Sequence, residues 1–135
     1  MDFGEINKDD PNKIVICILT RNSDRYIMDT VEEFCMHQTY KKFHLVVIDN
    51  CSDDDKTIKI LSGFNKALVM SGVPWPDLHP IRAQNFLDDL ENHERAIFTI
   101  KEKFGKVKAF RFWDDNAIPG GEEAEEMAKR LGIEL

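Results

Sequence analysis

Two groups of acidic residues follow apolar segments that have the character of buried strands. Asp49 and the run Asp53–Asp55 follow the segment Phe43–Ile48. Asp114 and Asp115 follow a second such segment. Because ligands of open α/β sheets bind beyond the carboxyl ends of parallel strands, we expect the two groups to converge there. Carboxylates at such an edge can hold Mg²⁺ or Mn²⁺, which in turn binds nucleotide phosphates. The alternative is that these acids only cap helices and solubilise the surface.

Two cations are placed to bind an anion or to pair with these acids. Arg21 directly follows the first strand-like segment, between Thr20 and Asn22. Arg82 stands at the predicted start of a helix, and Asn85 lies within one turn of it. A guanidinium and the N–H groups of a helix N-terminus can together hold a phosphate. Surface ion pairing is the alternative for both arginines.

The apolar pattern of the chain predicts the elements that would position these residues. We expect strands at 13–19, 43–48, 66–70 and 108–113, and helices at 24–38, 57–64, 81–104 and 122–131. The segment Ser71–Pro80 holds three prolines, and we expect a loop there because proline fits neither a helix interior nor a central strand. The alternation predicts a three-layer, Rossmann-like α/β domain with a mostly parallel sheet of four to five strands.

Length and charge limit the domain organisation and the class of partner. The chain has 135 residues, which suits one domain over 13–135 after a flexible polar tail over 1–12. A net charge of −7 and the lack of a basic stripe disfavour nucleic acid. No apolar run approaches the roughly 18 residues that span a bilayer. We therefore expect a cytoplasmic protein without membrane insertion, and leave open a homo-oligomer or a protein partner.

The cysteines and histidines of the chain do not predict a zinc site. Cys17, Cys35 and Cys51 lack Cys-x-x-Cys spacing, and the four histidines lack metal-ligand spacing. We expect reduced thiols.

Four segments, taken in order, resemble the SLOG superfamily of Rossmann-like nucleotide-binding proteins. They are Thr20–Asp24, Asp49–Asp55, Pro80–Asn85, and Pro119–Gly121 followed by Met127–Ile133. The resemblance implies a nucleotide or a nucleotide-derived small molecule as the ligand. The ligand-binding residues that it implies are Thr20, Arg21, Asn22, Asp49, Asn50, Ser52, Arg82, Asn85, Gly120 and Gly121. Glu122 and Glu123 neutralise the positive end of the helix that they precede, which disfavours phosphate binding by that segment. We expect binding of the ligand and assign no catalytic residue.

A second resemblance is to inverting glycosyltransferases of the GT-A fold. It rests on Thr20–Asn22, Gln38–Tyr40 and Val46–Asp53, and on Trp113–Asn116, which is similar to their metal-binding Asp-x-Asp segment. It implies that Asp49 contacts the base of a sugar nucleotide. It also implies that the pair Asp114 and Asp115, and Asp115 in particular, holds Mg²⁺ or Mn²⁺.

The sequence thus leaves three hypotheses for function. We favour a SLOG-like binder of a nucleotide derivative, because the chain stops soon after Trp113–Asn116 and would lack the acceptor half of a transferase. The second hypothesis is a truncated, glycosyltransferase-like protein that uses a sugar nucleotide. The third is a non-catalytic interaction module that binds a basic partner through its acidic face.

Overall fold

The chain forms a parallel sheet between two layers of helices. A computed structural model describes residues 13–38, 42–63, 77–113 and 118–134. In these residues the strands are β1 Ile14–Thr20, β2 His44–Asp49, β3 Asp77–Arg82 and β4 Ala109–Phe112. The helices are α1 Ile27–His37, α2 Asp55–Ser62, α3 Asp89–Phe104 and α4 Ala124–Arg130, with a 3-10 turn at Pro119–Gly121. None of the described helices is long and apolar enough to cross a bilayer.

Side-chain caps define where two of the helices begin. Asp54 accepts a hydrogen bond from the Thr57 N–H at 2.6 Å and so caps α2. Asp88 accepts from the Glu91 N–H at 2.9 Å and caps α3. Each cap satisfies an N–H group that has no partner inside the helix. The acidic turn after β2 therefore contains a helix cap, in agreement with the alternative that acids of this turn cap helices.

The strand order in the sheet is β3-β2-β1-β4, and every pairing is parallel. The register pairs Thr20 with Asp49, and Asp49 with Arg82. These three residues end their strands, so they form a row along the carboxyl edge. The predicted parallel α/β architecture is confirmed.

The core is divided into two layers by the alternation of side chains along the strands. Val15 and Cys17 of β1 face a cluster that includes Ala96, Ile97, Ile100 and Phe104 of α3 and Met127 of α4. Ile18 of β1 faces the opposite cluster, with Ile27, Val31 and Cys35 of α1 and Leu61 of α2. Because helices cover both faces, β1 and β2 are continuous apolar runs.

Three sequence predictions need a correction or fall outside the described residues. The expected strand at 66–70 and positions 71–76 of the expected loop lie outside them. Asp77–Pro80 is strand rather than loop, because it pairs with β2 as part of β3. The helix expected from Ile81 begins at Asp89. Arg82 is therefore the last residue of a strand and does not stand at a helix N-terminus.

Candidate functional site

The carboxyl edge of the sheet has a point where the strand order reverses direction. From β1 the chain adds β2 and β3 on one side, and then β4 on the other side. In open α/β sheets the two flanking connections diverge at such a switch point and leave a crevice for a ligand. The switch point here lies between β1 and β4, and the loops after β1, β2 and β3 lie along the same edge.

Asn22 joins the loop after β1 to the loop after β2. Its amide oxygen accepts hydrogen bonds from the N–H groups of Asp53 at 2.9 Å and Asp54 at 3.3 Å. Its own N–H donates to Ser52 Oγ at 2.8 Å. Asn22 has a φ of 47°, in the left-handed region that asparagine tolerates better than most residues. The predicted binding residue Asn22 therefore fixes the relative position of two loops of the site.

Asp49 is fully buried, at 0% exposure, at the end of β2. The Ser52 N–H donates to its carboxylate at 3.0 Å, and the Ser52 hydroxyl donates to it as well. Arg82 Nε lies 3.7 Å from Asp49 Oδ2, while Arg82 Nη2 donates to the Ser52 carbonyl at 3.1 Å. This carboxylate therefore shapes the loop after β2. Direct contact between Asp49 and a ligand stays a prediction.

Asn50 ties the loop after β3 to the end of β2. Its amide nitrogen donates to the Leu87 carbonyl at 2.8 Å, and its amide oxygen accepts from the Leu87 N–H at 3.1 Å. The same oxygen accepts from Arg95 Nη2 at 2.8 Å. These three bonds fix the orientation of an amide that is 5% exposed.

Arg95 is a residue of the site that the sequence prediction missed. Its guanidinium donates to the Asn85 carbonyl at 2.6 Å and to Asn92 Oδ1 at 2.7 Å, in addition to Asn50. All three acceptors are uncharged. Burial lowers the pKa of Arg95 below its ordinary value, although an arginine in a protein stays protonated. A cation at the start of the inward face of α3 is the signal that could have drawn attention to this position.

Arg21 and Phe86 form a stacked pair above the loops. The centre of the Arg21 guanidinium lies 4.5 Å from the centre of the Phe86 ring, within the range of a cation–π interaction. Arg21 Nη2 also donates to Asp53 Oδ2 at 2.9 Å. Phe86 is 57% exposed, which is unusual for a large aromatic residue. The pair offers a flat surface at the edge of the site.

Two cavities share the Leu19–Thr20 end of β1. The switch-point cavity, of about 260 Å³, has walls from β1, β4, the first turn of α1 and His93 of α3. The loop cavity, of about 310 Å³, has as its other lining residues Arg21, Asn50, Phe86, Leu87, Asp89 and Asn92. Thr20 Oγ1 is hydrogen-bonded to Ser23 Oγ, and both residues line the switch-point cavity. The two spaces together could hold a ligand with two distinct parts.

The remaining predicted residues lie in different positions. Asn85 contributes its backbone carbonyl to Arg95. Gly120 and Gly121 have φ angles of 79° and 72°, but neither lines the switch-point cavity or the loop cavity. Asp114 and Asp115 lie outside the described residues. Within the described residues, no group of three or more His, Cys, Asp or Glu side chains could hold a metal ion.

The sequence matches no protein-family model, and no curated protein matches it. Its fold is similar to that of TarS from S. aureus in two crystal structures. One comparison has a TM-score of 0.50 at 18% identity, and it covers 77% of this chain and 16% of the TarS chain. The other, with TarS residues 1–349, has a TM-score of 0.52 at 19% identity and covers 77% of this chain and 27% of that one. The likeness shows a shared fold over a minor part of TarS.

Proposed function

We propose that this chain binds a sugar nucleotide at the carboxyl edge of its sheet, as the nucleotide-binding part of a GT-A-like fold. The observation that carries the proposal is the switch point beside the row formed by Thr20, Asp49 and Arg82. Two adjoining cavities open there, in the position where open α/β sheets bind ligands.

The comparison with solved structures supports this proposal over the SLOG-like one. TarS is a glycosyltransferase, and its likeness to this chain covers 77% of the chain. The segments Thr20–Asn22 and Val46–Asp53, which carry the GT-A resemblance, meet at the edge of the sheet through the bonds of Asn22. No comparison favours the SLOG superfamily, and Gly120 and Gly121, which that resemblance implies as ligand-binding residues, line neither cavity of the site.

The chemistry of the loop cavity suits the nucleotide part of the ligand. Arg21 and Phe86 offer a stacking surface for a planar base. Asn50 and Asn92 line this cavity, and Arg95, which donates to both side chains, adds a positive charge behind them. Among the described residues, the hydrogen-bond acceptors of Arg95 are all neutral oxygens, and such a cation favours an anionic ligand nearby. In this proposal Asp114 and Asp115 hold Mg²⁺ or Mn²⁺, an assignment that rests on the sequence.

Equilibrium binding provides the test. Isothermal titration of the whole chain with nucleoside diphosphates and sugar nucleotides, with and without Mn²⁺, should give a measurable Kd for at least one of them. Arg21→Ala should weaken that binding by roughly tenfold, because it removes part of the stacking surface and stacking on a base contributes about 1 to 3 kcal/mol. Arg25→Ala is the matched control, since Arg25 is an exposed arginine that lines neither cavity.

The outcomes separate the hypotheses. Binding that Arg21→Ala weakens and Arg25→Ala does not would support the proposed site. Equal effects of the two variants would place the ligand elsewhere. If no nucleotide gives a heat of binding at a protein concentration of about 0.1 mM, the proposal is overturned.

A further inference from the structure

Among the described residues, no Asp, Glu, Lys or Arg lines the switch-point cavity. Its polar side chains are Thr20, Ser23 and Thr30, with Cys17 and His93 deeper in the wall. Burial raises the pKa of the Cys17 thiol far above its ordinary value, so this group is neutral. A space of this kind suits an uncharged, hydroxyl-bearing group better than a phosphate.

Two exposed aromatic residues stand at the rim of this cavity. Tyr26 is 67% exposed and Trp113 is 48% exposed, although large aromatics are usually buried. An aromatic ring that water covers in the free protein can pack against the C–H face of a bound ring and release that water. A pyranose ring presents an apolar C–H face and a rim of hydroxyl groups. The aromatic residues match the C–H face, and the hydroxyl groups of the cavity match the rim.

His93 supplies an acceptor in the same wall. Its Nδ1 lies 2.7 Å from the Asp89 carbonyl oxygen, which can only accept a hydrogen bond. Nδ1 is therefore the protonated nitrogen, and Nε2 is left as an acceptor in the neutral ring. Asp89 Oδ1, at 3.5 Å from Nδ1, favours the same tautomer. A sugar hydroxyl could donate a hydrogen bond to Nε2.

The size of the cavity limits what it can hold. Its volume of about 260 Å³ is below the roughly 300 to 1,000 Å³ of pockets that enclose drug-sized ligands. One six-membered ring is therefore a better fit than a whole nucleotide. The adjoining loop cavity, which shares Leu19 and Thr20 with it, lies where the rest of such a ligand would continue.

We propose that the switch-point cavity binds the sugar ring of the ligand, with Tyr26 and Trp113 packed against the ring and His93 Nε2 accepting from a sugar hydroxyl. This inference rests on the proposed function. It assigns Tyr26 and Trp113 a role in selecting the sugar, while the loop cavity takes the nucleotide.

The experiment compares each nucleoside diphosphate with its own sugar conjugates. Titration calorimetry with the whole chain, in buffer with Mn²⁺, gives the ratio of the Kd for uridine diphosphate to that for its hexose conjugates, and the same ratio for other bases. We expect the best conjugate to bind about fivefold to tenfold more tightly than the bare diphosphate. Trp113→Ala and Tyr26→Ala should each reduce this ratio by roughly threefold or more, with the Kd of the diphosphate unchanged, because a ring contact contributes about 0.5 to 1.5 kcal/mol.

Phe98→Ala is the matched control. Phe98 is 51% exposed on α3 and lines neither cavity, so its removal should leave both affinities unchanged. If the diphosphate binds but the sugar adds no affinity, or if the two rim variants behave like Phe98→Ala, the sugar assignment is overturned while nucleotide binding stands. If no diphosphate or conjugate binds, the proposed function fails, and this inference fails with it.

Discussion

Replacement of Asn50 by alanine tests how the site is held together. The variant loses three hydrogen bonds: two with the backbone of Leu87, at 2.8 and 3.1 Å, and one from Arg95 at 2.8 Å. Each of the two neutral bonds contributes about 1 kcal/mol, and the bond to the cation contributes about 1.5 kcal/mol or more. Arg95 keeps its bonds to Asn85 and Asn92, which favours the lower value for the third bond. We therefore expect a loss of about 3 to 4 kcal/mol in the free energy of unfolding.

Urea denaturation followed by circular dichroism measures this loss. A domain of this size has a total stability of roughly 5 to 15 kcal/mol, so the midpoint should move by a large fraction of its value. The slope of the transition should not change, because the folded state keeps its core. Asn85→Ala is the matched control, since Asn85 meets Arg95 through a backbone carbonyl that alanine retains. Its expected effect is within about 0.5 kcal/mol.

A specific result would refute this reasoning. If Asn50→Ala and Asn85→Ala differ by less than about 0.5 kcal/mol, the side chain of Asn50 does not hold the loop after β3, and the loop cavity is not a preformed site. If Asn50→Ala loses stability as expected, the same variant should also bind the nucleotide more weakly, because Phe86 is carried by that loop.

Three further predictions concern the scaffold, and urea denaturation measures each. Hydrogen bonds from Thr57 lower the pKa of Asp54, so the ionised carboxylate stabilises the folded state relative to Asp54→Ala. This difference in the free energy of unfolding should be fully present above the ordinary carboxyl pKa of about 3.9 and should be lost as the pH falls through the lower pKa of the folded state. Equal differences at pH 6 and pH 2 would contradict this. Ile97→Ala should cost about 2 to 5 kcal/mol because Ile97 is fully buried, whereas Phe98→Ala on the opposite face should cost little. Gly132→Ala should cost about 1 kcal/mol through the φ of 73° alone, since no atom crowds the added methyl group, and an unchanged midpoint would refute that strain.

The strands β1, β2 and β4 could be predicted from the sequence, and β3 could not. β1 and β2 are continuous runs of apolar residues because helices cover both sides of them. β3 contains Pro80, which argues against a central strand. The Ala83 N–H donates to the Asp49 carbonyl at 2.9 Å, so alternate residues of β3 direct their N–H groups at β2. The Pro80 nitrogen faces away from β2, so its lack of an N–H group removes no hydrogen bond between the two strands.

The long-range contacts of the site are the part that sequence patterns could not supply. The carboxyl ends of β1 and β2 were placed correctly because parallel strands end at the same edge. Arg95 and Asn50 are 45 positions apart, and their contact depends on the path of the loop after β3. Because β3 is predicted as a loop, the predicted helix starts too early, and the position of Arg95 near the start of α3, bonded to the Asn85 carbonyl of that loop, does not emerge from the sequence. Phe86, which falls in the helix predicted at 81–104, instead lies in the loop before α3 and is exposed.

The charges at the carboxyl edge explain how an acidic chain could bind an anionic ligand. The net charge of −7 suggests repulsion of phosphate. Within the described residues, however, two acids of this edge have partners: Asp49 has Ser52 and Arg82, and Asp53 has Arg21. Arg95 forms its hydrogen bonds with neutral oxygens, so its charge is not balanced in the same way. Among the described residues around the loop cavity, the two cations, Arg21 and Arg95, match in number the carboxylates of Asp53 and of Asp89, which lines the cavity. The local field is therefore less negative than the composition implies, and phosphate is not repelled there as the net charge suggests.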